Sequence, residues 1–120
     1  MARFTFGPVL GRRGPGEVDQ VLFDAWSLVH FASGLLLWKL GLAANVAIMV
    51  IVVAELFENY GGGVAIFNWL GRNFGWFKIF EGQEDYKGDS LGNMVADVVI
   101  GITAYTLAWY EIIPLGAQLF

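Results

Sequence analysis

Three long apolar stretches dominate this chain, and each concentrates its polar residues toward one end. They predict helices over 21–40, 43–60 and 90–115. Each stretch is long enough to cross a hydrocarbon core of about 30 Å at about 1.5 Å per residue. Asp24 and His30 fall in the first half of the first helix. Glu55, Glu58 and Asn59 close the second, and Asn93 and Asp97 open the third. Successive spans reverse direction, so these polar groups are expected on one side of a membrane. A charge in hydrocarbon costs roughly 2.5–3.5 kcal/mol on insertion scales, and it persists when paired, hydrated or used.

The segments between the helices have other patterns. Residues 1–20 form an arm punctuated by Gly7-Pro8 and Gly14-Pro15-Gly16, expected to be irregular. Its arginines stand without an apolar core or a small-residue cleavage site, so it is expected to be retained. Lys39 to Leu42 leave room only for a tight turn, with Lys39 free to snorkel to the interface. Gly61-Gly62-Gly63 is expected to break the second helix. The stretch 64–80 is aromatic and cationic; Trp69, Arg72, Trp76 and Lys78 suit an interfacial anchor better than a span. The expected fold is an all-α integral membrane protein, with three transmembrane helices and an interfacial aromatic-rich helix in a single membrane domain over 21–120.

Helical spacing groups the polar residues by face. Ser27, His30 and Gly34 share one face, Glu55, Glu58 and Asn59 a second, and Asn93 and Asp97 a third. Small residues accompany them: Gly101, Ala104 and Ala108 continue from Asp97, Ala43, Ala47 and Ala54 lie on the second helix, and Ser33 and Gly34 on the first. Small residues let membrane helices approach closely, so the polar groups are expected to point into a three-helix seam.

Composition narrows the choice. The chain has 120 residues, 57% hydrophobic and 15% charged, with a net charge of −4. The mean hydropathy is +0.58. The acidic balance argues against nucleic acid as a partner. With no cysteine, thiolate catalysis, Cys-ligated zinc and iron–sulfur clusters are excluded. Lys and Arg concentrate in the N-terminal arm and between the second and third spans. A cytoplasmic N-terminus and an external C-terminus are therefore expected.

Several uses fit the polar cluster of Asp24, His30, Glu55, Glu58, Asn59, Asp89, Asn93 and Asp97. A hard divalent cation suits its donors, with His30, Glu55 and Asp97 as the candidate ligands. A metal-free His–carboxylate pair could relay protons or bind a cationic group. His30 could instead ligate the metal of a pigment macrocycle. Ser27-x-x-His30 lacks an oxyanion hole and a third member, so nucleophilic catalysis is weak. Plainer roles stand beside these. Asp24 can sit at the interface near a helix start, Asp89 or Ser90 can cap the third helix, Glu58 and Asn59 can be solvated, and the rest can form a hydrogen-bonded knot.

The order Asp24-x-x-Ser27-x-x-His30-x-x-Ser33-Gly34, then Glu55-x-x-Glu58-Asn59, then Tyr86-x-Gly88-Asp89-Ser90-x-x-Asn93-x-x-x-Asp97 resembles uncharacterised bacterial inner-membrane proteins in the broad VanZ-like neighbourhood. The resemblance implies a bacterial inner-membrane location and polar groups that form one shared site. This chain has Ser33 where those relatives carry a second histidine, and a longer stretch between Asn59 and Gly88. The expected function is a non-catalytic accessory or assembly subunit that binds a cation or polar group. A metal-assisted enzyme acting on a lipid-linked or small polar substrate is the alternative, and a pigment-binding subunit the second. Three helices bury little by themselves, so the expected partners beyond the lipid bilayer are further copies or other membrane subunits.

Overall fold

A computed structural model describes residues 25–59, 62–74 and 90–120. The described residues form helices only: α1 Ala25–Lys39, α2 Ala44–Asn59, α3 Gly62–Phe74 and α4 Leu91–Trp109. Among them α4 is the one helix long and apolar enough to cross a membrane. With 15 and 16 residues, α1 and α2 fall short of the roughly 20 a full crossing needs. The expected spans 21–40 and 43–60 run past the described residues at 21–24 and at 60. The arm over 1–20 and the loop over 81–89 also lie outside them.

The core is a seam in which α4 is central. α1 packs most extensively against α4, whereas α1 and α2 touch each other lightly. Glycine sets the close approach: a Cβ on Gly34 would lie 2.1 Å from the Gly101 carbonyl oxygen. On its other side Gly101 faces Ile51 of α2, which a Cβ would meet at 3.3 Å. One turn toward the helix starts, His30 faces Asp97. The same offset at both levels makes α1 and α4 parallel, with α2 antiparallel between the two ends. At the far end Trp38, Ala47, Tyr105 and Ala108 form the apolar core.

The usual distribution of residues is inverted. The seam buries Glu55, Asn59, Ser90, Asn93 and Asp97 beside alanines and glycines, while Ile48, Met49, Val53, Leu56 and Phe57 of α2 are exposed. Two exposed hydroxyls are satisfied within their own helices. Ser33 donates to the Val29 carbonyl at 2.7 Å and Thr106 to that of Ile102 at 2.8 Å.

Helix ends explain the departures from the expected boundaries. Ser90 is the N-cap of α4 and accepts from the Asn93 amide at 3.2 Å, which decides between Ser90 and Asp89. α4 stops at Trp109, well before Pro114. Glu111 adopts φ 57°, and the amides of Glu111 and Ile112 bond the carbonyls of Ala108 and Leu107. That is a Schellman cap with glutamate in the left-handed position. α1 ends the same way, with Gly41 at φ 86° and the amides of Gly41 and Leu42 on the carbonyls of Trp38 and Leu37.

The tail beyond α4 folds back over this end. Lys39 donates to the carbonyls of Leu115 and Ala117 at 2.6 and 2.7 Å, so its ammonium is held by the tail. Gln118 donates to the Trp38 carbonyl and the Leu119 amide to that of Lys39. Tyr105 closes the same end by donating to the Leu42 carbonyl at 2.7 Å.

α3 begins at Gly62, two residues ahead of expectation. The glycines let it start hard against α2: a Cβ on Gly63 would overlap the Phe57 carbonyl at 1.5 Å. α3 is the most amphipathic of the described helices, with Trp69 and Arg72 exposed on it. Trp76 and Lys78 lie outside the described residues.

Candidate metal centre

Three helices each send one ionisable side chain to the same point. His30 comes from the second turn of α1, Glu55 from the last turns of α2 and Asp97 from the second turn of α4. His30 Nε2 lies 3.2 Å from Asp97 Oδ2, and its Nδ1 lies 4.0 Å from Glu55 Oε2. The imidazole thus stands between two carboxylates. Both carboxylate residues are deeply buried, Glu55 at 4% exposure and Asp97 at 2%.

Neighbours on the same helices hold these groups in place. Asn59, one turn beyond Glu55, donates from Nδ2 to Glu55 Oε1 at 3.0 Å and to the Glu55 carbonyl at 2.8 Å. That leaves Oε2 of Glu55 turned toward His30. Asn93 is buried one turn before Asp97, on the helix turn that Ser90 caps. The near contact of Gly34 with Gly101, one turn away, brings α1 close enough for His30 to reach Asp97.

Charge defines what the site can hold. With both buried carboxylates ionised and the imidazole neutral, the site would carry two negative charges, which a divalent cation would offset. One donor atom from each of His30, Glu55 and Asp97 lies within 4.8 Å of the others. Hard cations bind ligands at about 2.0–2.6 Å, so ligands on opposite sides of one ion stand about 4–5 Å apart. The triad is on that scale. Its oxygen and imidazole donors suit manganese or ferrous iron better than calcium. Asn59 would then act as an outer partner that orients a ligating carboxylate.

The expected cluster is brought together in part. His30, Glu55 and Asp97 meet, and Asn59 joins through Glu55. Glu58 is half-buried and lines a cavity beside the triad. Asp24 and Asp89 lie outside the described residues. The support from Asn59 was readable as Glu55-x-x-x-Asn59, one helical turn apart, but spacing alone did not show which oxygen it would engage. The cavity, of about 330 Å³ between α1 and α2, had no sequence signal, because it reflects helices that share α4 and barely touch each other. No family model, curated protein or solved structure matches the chain.

Proposed function

We propose that this chain is a small integral membrane protein that binds one divalent cation through His30, Glu55 and Asp97, and that it serves as a non-catalytic accessory or assembly subunit of a membrane complex. The convergence of three ligand atoms from three helices in a buried seam carries the reading. The inverted distribution of residues supports the membrane setting, since large apolar side chains outside and polar ones inside suit lipid as the solvent. Three spans, a cytoplasmic N-terminus and an inner-membrane location belong to the same proposal, as does kinship with VanZ-like proteins. A bound cation would tie three helices together at a point where packing alone leaves charge unbalanced. The two carboxylates beside His30 are donors that a divalent cation would use and that a pigment ligand would leave without a role, which supports this reading over the pigment one.

A second reading is a metal-assisted enzyme, favoured by one observation. The cavity beside the triad gives a small substrate room next to the metal, and a purely structural knot needs no such space.

Native mass spectrometry after gentle extraction tests the proposal. One divalent ion per chain is expected, together with further copies or foreign subunits. Asp97→Asn should lose the ion and weaken the assembly. A bare, metal-free monomer from the wild-type membrane would contradict the reading. An assembly that survives Asp97→Asn while a turnover activity disappears would put the enzyme first.

A further inference from the structure

The triad by itself cannot complete the coordination shell of a hard cation. Asn59 Nδ2 holds Oε1 of Glu55 at 3.0 Å, which leaves Oε2 as that residue's ligand atom. His30 gives one nitrogen, and Asp97 one or two oxygens. Magnesium and manganese take about six ligands in octahedral geometry, so about two or three positions remain for oxygens from elsewhere.

The cavity adjoins those positions, because His30, Glu55 and Asp97 all line it. From there it follows α1 to Leu37 and α2 back to Val50. At about 1.5 Å per residue this is a groove roughly 10–12 Å long. Its far half is walled by Leu36, Leu37, Val50 and Ile51. Leu36 and Val50 are themselves exposed, so in the proposed membrane setting this half opens sideways to acyl chains. A ligand that spans the groove needs a hard oxygen head at the ion and an apolar chain behind it.

Charge selects the head. A hard cation held by one or two carboxylates completes its shell with water and phosphate oxygens. A bound cation repels an ammonium, and a neutral hydroxyl is a weaker donor than an anionic oxygen. A phosphate monoester carries about −1.5 to −2 at pH 7, against the single charge of a carboxylate head. Among the described residues no Lys or Arg lines the groove, and Glu58, which does, is itself engaged. The wall therefore offers a phosphate no attraction of its own, and the ion has to supply it.

We propose that this groove takes a single-chain phosphate monoester from the bilayer, its phosphate oxygens on the ion at the triad and its chain along Leu36, Leu37 and Val50. The volume of about 330 Å³, near the lower end of the roughly 300–1,000 Å³ of ligand sites, suits one chain rather than two. The inference deepens the proposed cation site and rests on it.

Photo-crosslinking of the full chain in dodecyl maltoside micelles, which hold no competing phosphate, tests it. Four diazirine probes share one dodecyl chain and carry a phosphate, carboxylate, hydroxyl or ammonium head, and manganese binding is read on the same samples. With manganese, the phosphate probe should label peptides of α1 and α2 at least about tenfold more than each of the others. Chelating the manganese should bring it down to the hydroxyl level. Val50→Trp fills the apolar half from an exposed position, so it should remove the labelling and keep manganese bound. Inorganic phosphate should compete far less well than unlabelled dodecyl phosphate, because it has no chain to bury. Equal or greater labelling by another head, a phosphate preference that survives chelation, indifference to Val50→Trp, or equal competition by inorganic phosphate would overturn the proposal. Manganese bound with indiscriminate labelling removes this inference and leaves the cation site standing. A protein that binds no manganese loses the cation site, and the groove assignment with it.

Discussion

The two ends of one helical seam solve the same packing problem in opposite ways. At one end Trp38, Ala47, Tyr105 and Ala108 fill the space between α1, α2 and α4 with apolar atoms. Backbone and tail close it further: Tyr105 reaches the Leu42 carbonyl, and Lys39 and Gln118 are tied into the tail. At the other end the same helices meet through His30, Glu55 and Asp97, with a cavity alongside. Gly34 and Gly101 separate the two ends and serve both. The apolar end is over-determined, with packing, a hydroxyl and a strap all pointing the same way. The polar end is held by side-chain hydrogen bonds instead, with Asn59 on Glu55 and Ser90 capping the turn that carries Asn93. Three ionisable groups meet in a buried seam at one end, and apolar packing closes the other.

The largest expected effect removes both ends together. Gly34→Ala would drive a Cβ into the Gly101 backbone, where neither side can yield. We expect a loss of about 3 kcal/mol together with loss of manganese binding, read by unfolding in detergent and by metal titration. Retained stability would mean that α1 and α4 are further apart than described.

Ala47→Leu should separate the ends. Ala47 is fully buried in the apolar core, so overpacking there should cost about 2 kcal/mol. Manganese affinity should change less than about threefold, because the triad lies roughly two turns away. Tyr105→Phe is a milder form of the same test. It removes one hydrogen bond to the Leu42 carbonyl, worth about 1 kcal/mol.

The smallest effect has the opposite sign. Glu111 occupies a left-handed position that disfavours a side chain. Glu111→Gly should raise stability by about 0.5–1 kcal/mol in the same unfolding assay. The equivalent cap on α1 already uses Gly41, where a Cβ would also meet the Phe120 carbonyl oxygen at 2.4 Å. Gly41→Ala should therefore destabilise, and the pair of variants tests whether the two caps are as alike as their hydrogen bonds.

The polar end was more legible in the sequence than the apolar one. His30, Glu55 and Asp97 each interrupt an apolar helix near its end, and the alternation of helices placed them together. The small residues Gly34, Gly101, Ala104 and Ala108 marked the seam, and all four are buried. Ala43 and Ala54 share their smallness but are exposed, because size says that a helix can approach and not which one does. The end of α4 was misplaced toward Pro114, since a glutamate in a left-handed cap carries no compositional mark. The strap of the tail over Lys39 rests on backbone carbonyls, which no side-chain pattern reveals. The interfacial reading of 64–80 extends past the described residues; within them, the helix starts earlier because Gly62 and Gly63 permit a turn that was expected only to end α2.

The chain contains a single histidine, which makes one spectroscopic measurement decisive. Pulsed electron paramagnetic resonance of manganese bound to the protein in nanodiscs should show one directly coordinated nitrogen-14. That signal should change to a nitrogen-15 pattern when only histidine is isotopically labelled, and it should vanish in His30→Gln. Manganese surrounded by water protons alone, with no histidine nitrogen, would contradict the account that the triad is a cation site.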